Sequence, residues 1–298
     1  MFLRIMTRRL KMKVGIRTTG RLNGMPFDEV CRWMAANGFE TIDVPNINAD
    51  MVKTASSHGV GIGQVDLVAG SDLLSDDTDK QKQAVQASIA SIQNAIDHGV
   101  KNMFYVAPAP ADPSQGRAAT FEQWKRTMPA IVDFADSNGA TIALEGWPGG
   151  SPHFDRIGAN PEMLRAMFEV CPSEAFGINY DPSHLIRLGV DYLRMLEEFG
   201  HRVHHVHAKD TKFDSEALYL YGRMSPSLDQ PKAFGEDWWR YCIPGEGEAD
   251  WAHIMKNLED FGYDGILSIE HEDVRYWGSW EVEAEGFIRA RTHLKKYM

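Results

Sequence analysis

Four polar residues close otherwise apolar runs in the second half of the chain: Glu145 in "IALE", Asp181 in "GINYD", His207 in "HVHAKD" and Glu270 in "LSIE". An acid placed where a strand leaves a hydrophobic core loses hydration, and it stays charged only beside a cation or strong donors. Three carboxylates and one imidazole converging on one point suit a divalent cation. A donor set of oxygens with one nitrogen favours Mn²⁺ first, with Mg²⁺, Co²⁺ or Zn²⁺ as alternatives, over thiolate-rich zinc chemistry. Such a centre keeps coordination positions for a substrate's oxygens. Unrelated salt bridges to Arg and Lys are the competing reading.

The stretch "VHHVHAKD" (203–210), read as a strand, puts His205, His207 and Lys209 on one face and His204 and Asp210 on the other. His205 lies a layer deeper than His207 and is expected to be a hydrogen-bonded core residue, while His204 should pack toward helices. His184, three residues beyond Asp181 in "YDPSHL", is expected to contact substrate, with helix capping as the alternative. His271 and Asp273 in "EHED" are expected to orient the ligands by hydrogen bonds. Lys209 raises a Schiff-base route, which the neighbouring acids oppose by keeping the amine protonated. Trp147 and the tryptophans at 238 and 239 have two readings, stacking on the apolar face of a sugar or core packing.

These residues need a frame that brings distant strand ends together. Eight short β-type runs recur along the chain: 13–17, 41–45, 62–68, 102–107, 141–146, 176–181, 203–210 and 266–272. Amphipathic helical runs such as "PFDEVCRWMAANGF" and "DWAHIMKNLEDFG" lie between them, several with a proline or acidic first turn and a terminal glycine. Alternating strands and helices imply a parallel sheet, since each parallel neighbour needs a crossover. Eight such units make an α/β chain of the (β/α)8 TIM-barrel class, one domain over 13–298, with its chemistry on the C-terminal face. A doubly wound open sheet is the alternative, but "GIRTTGRLNG" after the first strand lacks the GxGxxG spacing. The connection 211–249, after the seventh strand, is long and aromatic and reads as a lid; a subunit contact or an external hairpin is the competing reading.

Charge and cysteine usage bound the partners. The net charge is −11, and five of the basic residues fall within the first thirteen, so the body is more acidic still. No Lys/Arg cluster interrupts it, which argues against nucleic acid. No long apolar run predicts a membrane span. Cys31, Cys171 and Cys242 lie far apart, which suits buried thiols, a reducing compartment and a cytoplasmic location. Residues 1–12 are expected to form a disordered basic tail, with a transit-like leader as the alternative. A homo-oligomer is expected.

The motifs "ALEGWP", "YDPSHL", "HVHAKD", "PGEGEADW" and "SIEHED" together resemble those of the xylose isomerase-like TIM-barrel superfamily, the sugar phosphate isomerase/epimerase group, from about Met12 to the end. The resemblance implies that Glu145, Asp181, His207 and Glu270 hold the metal, that Glu145 and Glu270 move protons on either side of the substrate, and that His184 contacts the sugar. Ketose 3-epimerases of this group carry an arginine soon after the metal-binding histidine. This chain reads "HAKDTKF" there, so Arg223 or Arg240 would have to serve. The long aromatic insertion is more similar to members acting on inososes or 3-keto-glycosides.

The chemistry so implied is proton abstraction beside a carbonyl, with the cation stabilising an enediolate. Return of the proton gives an isomerase or epimerase of a keto-sugar or related polyol, the first expectation. Loss of a β-substituent gives a lyase, an inosose-type dehydratase or a keto-glycoside-cleaving enzyme. An apurinic-site endonuclease is a weaker reading, because "QVDLVAG" and "FYVAPAP" lack the extra histidines a zinc cluster needs. A non-catalytic sugar-binding subunit is the remaining one.

Overall fold

The computed structural model describes residues 12–149, 155–223, 228, 235 and 238–298. Its strands are β1 (Lys13–Arg17), β2 (Thr41–Val44), β3 (Gly61–Asp66), β4 (Asn102–Val106), β5 (Thr141–Glu145), β6 (Phe176–Tyr180), β7 (Val203–Ala208), β8 (Asp210–Phe213), β9 (Trp239–Cys242) and β10 (Ile266–Ile269). Eight of them close into a parallel barrel in the order β1-β10-β7-β6-β5-β4-β3-β2, while β8 and β9 form a separate antiparallel ribbon. The chain is therefore a (β/α)8 barrel with an added hairpin.

The helices are α1 (Phe27–Ala36), α2 (Ala49–Ser57), α3 (Thr78–Asp97), α4 (Arg117–Ser137), α5 (Pro161–Val170), α6 (Pro182–Leu188), α7 (Tyr192–Phe199), α8 (Ser215–Tyr221), α9 (Trp251–Asp260) and α10 (Trp280–Leu294). Their ends follow local chemistry. Asn160 caps α5 by accepting from the Met163 N–H, with Pro161 in the first turn, and α6 stops at Gly189, whose φ of 74° suits a residue without Cβ. The helix α2 has no counterpart in the sequence reading. It is nine residues long with Ala55 as its one fully buried side chain, so its apolar face is too narrow to stand out.

Apolar residues of the strands and helices form one main core, with Met12 at its edge at 2% exposure. Met12 thus belongs to the fold rather than to the tail, and residues 1–11 lie outside the described residues. Cys31, Cys171 and Cys242 are buried and unpaired, as expected. Several buried residues of the barrel strands are polar, where branched apolar side chains usually dominate barrel interiors. Gln64 donates to Asn102 Oδ1 at 2.9 Å, Asn102 donates to the His204 carbonyl at 2.9 Å, and Asp43 pairs with His205 Nε2 at 2.8 Å. Gly63 makes room for that pair, because a Cβ there would stand 2.6 Å from Asp43 Oδ1. Among the described residues no helix is long and apolar enough to cross a membrane.

Candidate metal centre

Parallel pairing sets Glu145 opposite Asn179 across β5 and β6, and Ile16 opposite Ile269, so that Arg17 and Glu270 leave β1 and β10 side by side. Asp181 follows β6 and caps α6. Its Oδ1 accepts from the Ser183 N–H at 2.8 Å, which leaves Oδ2 for the barrel mouth. Glu145, Asp181, His207 and Glu270 are all buried, at 4%, 5%, 0% and 8% exposure.

His207 Nδ1 stands 2.6 Å from Glu145 Oε2 and 3.4 Å from Glu270 Oε2. Candidate ligand atoms of Glu145, Asp181, His184 and Glu270 lie within 4.8 Å of one another, whereas His207 falls by the same measure with Asp43 and His205. The two groupings give His207 and His184 different parts, and their partners separate them. His184 is engaged at both nitrogens, Nδ1 with the Tyr241 hydroxyl at 2.7 Å and Nε2 with Glu145 Oε1 at 3.3 Å. Both His207 nitrogens are buried and neither is committed to a directed hydrogen bond, so His207, on losing a proton, could give a cation a nitrogen lone pair. Asp181 Oδ2 is likewise without a properly directed hydrogen bond, although Lys209 Nζ and His184 Nε2 are 3.2 and 3.3 Å away.

Donors around an ion at about 2.1 Å stand about 3 Å apart along an octahedral edge. The Glu145–His207–Glu270 spacings of 2.6 and 3.4 Å bracket that value. Three buried carboxylates and an imidazole thus fit a divalent cation, which Glu145, Asp181, His207 and Glu270 could hold.

The electrostatics follow from the crowding. Burial by itself would raise Glu145, but His207 and His184 outweigh it and hold the carboxyl well below its ordinary range. Burial would also raise Glu270, and Lys209 and His207 hold it low in the same way. Burial opposes the charge on His207, and Glu145 and Glu270 override it and lift the imidazole to about 10. Lys209 is 1% exposed, bonded to Glu270 Oε2 and to Glu272 Oε2 at 3.0 Å. Against the cost of burial, Asp181, Glu270 and Glu272 hold the ammonium well above its usual range, which disfavours Schiff-base chemistry.

Other expected site residues have different surroundings. Arg240 donates to Asp273 Oδ1 at 2.7 Å, and Arg223 lies over the rings of Phe213 and Trp238 at 5.0 and 5.2 Å. No described contact of either guanidinium involves Glu145, Asp181 or Glu270. Trp147 is half-buried two residues beyond Glu145, with Arg156 over its ring at 4.5 Å. The expectation that His271 and Asp273 orient the ligands is corrected. His271 packs against Phe287 and Tyr276, burial lowers it to about 4, and Asp273 is committed to Arg240 and the Arg275 N–H. The orienting bonds come instead from Asn179, which donates to Glu145 Oε2 at 2.7 Å, and from Lys209 on Glu270. His205 is the buried, hydrogen-bonded core histidine expected, and His204 turns outward to the Glu174 carbonyl at 2.9 Å.

The connection 211–249, expected as a lid with an external hairpin as a competing reading, does contain a hairpin. The β8–β9 ribbon pairs Asp210 with Cys242 through to Phe213 with Trp239, and Trp238, Trp239 and Tyr241 pack with Ala217 in a small core of their own. The ribbon delivers Tyr241 to His184 and to Arg187 Nη1, 3.3 Å away, with Lys209 Nζ 4.6 Å from its ring centre. Asp210 anchors the return of the connection by accepting N–H bonds from Thr211, Ala249 and Gly245 at 2.8, 3.0 and 3.4 Å. A cavity of about 460 Å³ beyond the end of β5, lined by Arg117, Phe121, Pro148, Arg156 and Met163 among others, includes none of the clustered acids.

Residues 24–297 match the xylose isomerase-like TIM barrel family. The chain belongs to that family. Protein YfiH of Bacillus subtilis strain 168 is 22% identical over 86% of this chain and 91% of its own length. An inosose dehydratase of Clostridium perfringens is 26% identical over 48% of this chain and 47% of its own, so the chain spans about half the length of that relative. Among solved structures, mannonate dehydratase from Streptococcus suis serotype 2 superposes with a TM-score of 0.71 over 97% and 95% of the two chains, at 15% identity. The IOLI protein with a bound zinc atom gives 0.71 over 96% and 99%, and an L-ribulose 3-epimerase 0.69 over 96% and 95%, both at 15% identity. At that identity these likenesses speak to the fold.

Proposed function

We propose that this chain is a divalent-metal-dependent isomerase or epimerase of a keto-sugar or related polyol, working through an enediolate. The observation that carries the reading is the convergence of Glu145, Asp181 and Glu270 with His207 at one buried point on the C-terminal face of the barrel. When bound, a divalent cation, Mn²⁺ by preference, supplies Lewis-acid stabilisation of the negative charge that develops on a carbonyl oxygen. Glu145, Asp181, His207 and Glu270 would hold it.

The chain's own groups move the proton. Glu270 Oε2 is engaged by Lys209 and His207, which leaves Oε1 to take a proton from the carbon beside the carbonyl. Glu145 Oε1, on the other arm of the site, faces His184 Nε2, with the Tyr241 hydroxyl behind that ring. This line of groups can return a proton to the opposite face or the adjacent carbon. General acid/base groups contribute about 10²- to 10⁴-fold each, so both carboxylates are needed.

A second reading, a lyase, is favoured by Lys209 and by the similarity to inosose dehydratase. A buried ammonium beside Glu270 is a proton donor that an expelled hydroxyl or glycosidic oxygen requires and an epimerisation does not. The test is incubation with Mn²⁺ in D₂O against keto-sugars, inososes and 3-keto-glycosides. Deuterium should appear beside the carbonyl, and elimination products would choose the lyase. Metal-loaded protein that exchanges no carbon-bound hydrogen in any of them would refute both readings.

A further inference from the structure

Next to Glu270 at the barrel mouth, the last residues of β1 and β3 meet over the end of β2. Arg17 Nη1 and Nη2 donate to Asp66 Oδ1 and Oδ2 at 2.5 and 2.9 Å, a two-pronged pair. The order of strands puts β2 between them, so the pair is not a bond between adjacent strands. Its side chains are 10% and 29% exposed, so Asp66 reaches solvent while Arg17 is nearly covered. The Phe104 ring lies under the guanidinium at 4.5 Å and stacks on His207 at 5.0 Å, with 30° between the ring planes. Arg17 and the His207 ring are therefore no more than about 9.5 Å apart, the two distances taken end to end.

We propose that Arg17 and Asp66, floored by Phe104, hold the end of the substrate remote from the metal, and that they select an uncharged polyol over its phosphate or carboxylate counterpart. The inference rests on the enzyme reading above and adds the charge class of the substrate and the residues that set it. A five- or six-carbon polyol reaching from His207 across Phe104 arrives at this pair. The carboxylate accepts from one hydroxyl while the guanidinium donates to the next, which suits a vicinal diol. As a unit the pair is neutral, so it offers no net attraction to an anion, and a phosphate there meets the carboxylate first. The cationic side chains around the acids are committed in the same way: Lys209 to Asp181, Glu270 and Glu272, and Arg240 to Asp273. Arg187 lies over Trp239 at 4.2 Å and touches the Tyr241 hydroxyl. A partly buried ion pair adds little stability once desolvation is counted, so packing alone is a weak reason for this one.

The experiment compares neutral ketohexoses and inososes with their phosphate esters, using Mg²⁺-loaded protein, saturation-transfer NMR for binding and D₂O exchange for turnover. The wild type should bind the neutral member of each pair at least tenfold more tightly. Asp66→Asn, which keeps the shape and releases the charge of Arg17, should raise KM for the neutral ligand about tenfold with kcat little changed, and should improve binding of the ester. Arg17→Met should raise KM without favouring the ester. Stronger binding of the ester by the wild type, with exchange, would overturn the inference and leave the enzyme reading standing. Binding of a neutral polyol that depends on Asp66 but brings no exchange would do the opposite. Loss of thermal stability in both variants with unchanged ligand preference would show a structural pair, and absence of neutral-polyol binding would overturn the inference as well.

Discussion

On the half of the barrel mouth built by β5, β6, β7 and β10, Glu145, Asp181, Glu270 and Glu272 gather around one ammonium and two imidazoles. On the half built by β1, β3 and β4, Arg17 and Asp66 neutralise each other over an aromatic ring. One half carries an excess of negative charge at fixed positions, which a divalent cation can offset. In the other, the Arg17–Asp66 pair is neutral as a unit, and it presents both a donor and an acceptor. On the proposed reading, reaction belongs to the first half and recognition to the second. The contrast also says which mutations should separate the two.

The largest effects belong on the acid half. Glu145→Gln and Glu270→Gln keep shape but remove a base and a charge, and each should cut hydrogen exchange by at least about 10³-fold while weakening Mn²⁺ binding in a chelator competition. Retained exchange in either variant would move the chemistry elsewhere. Lys209→Met comes next. Removing one member of a buried charge cluster costs about 3–5 kcal/mol, so EDTA-treated Lys209→Met should melt well below EDTA-treated wild type, with the gap narrowing when Mn²⁺ is added.

The same half should give the protein an unusual dependence on pH. Glu145 and Glu270 are held below 4.5, so their stabilisation is present above that value and is lost as the pH falls. His207 is raised from 6.5 to about 10, so its stabilisation is complete below 6.5 and disappears as the pH climbs through 10. Melting of the EDTA-treated protein should therefore peak between about pH 4.5 and 6.5 and decline above. A metal-bound imidazole is neutral, so the Mn²⁺-loaded protein should lack that decline. Parallel curves for the two forms would argue against His207 as a ligand.

The smallest effect expected also lies on the acid half, at Tyr241→Phe. It deletes one hydroxyl contact with His184 and one with Arg187, and a net loss of about 1 kcal/mol is expected, read as a several-fold fall in kcat/KM. No change would leave the β8–β9 ribbon as a cover without a part in the proton path.

Much of the acid half was legible in the sequence, because Glu145, Asp181 and Glu270 each end an apolar run and that pattern survives reading one strand at a time. The eight barrel strands were legible for the same reason. Arg17 and Asp66 were not, since each is an unremarkable charge at a strand end, and their meeting across β2 depends on barrel closure. Glu272 was passed over for its neighbours His271 and Asp273, because "EHED" carries three polar candidates and nothing local says which turns inward. The sequence offers the ribbon β8–β9 only as a competing reading of the long connection, because its strands are separated by α8 and a long segment and no hairpin turn signal joins them. For Tyr241 the one available signal was its place in an aromatic run, which the small core of Trp238 and Trp239 explains equally well.

The sequence by itself determined the barrel, the strand ends that carry acids and the acidity of the whole. These follow from hydrophobic periodicity, turn residues and charge, which act over a few neighbours in the chain. Tertiary structure decided which imidazole stands between Glu145 and Glu270, which cation Glu270 meets and how the arginines are paired. Those outcomes depend on distances between strands far apart in sequence, and a shift of one residue in register would alter all three.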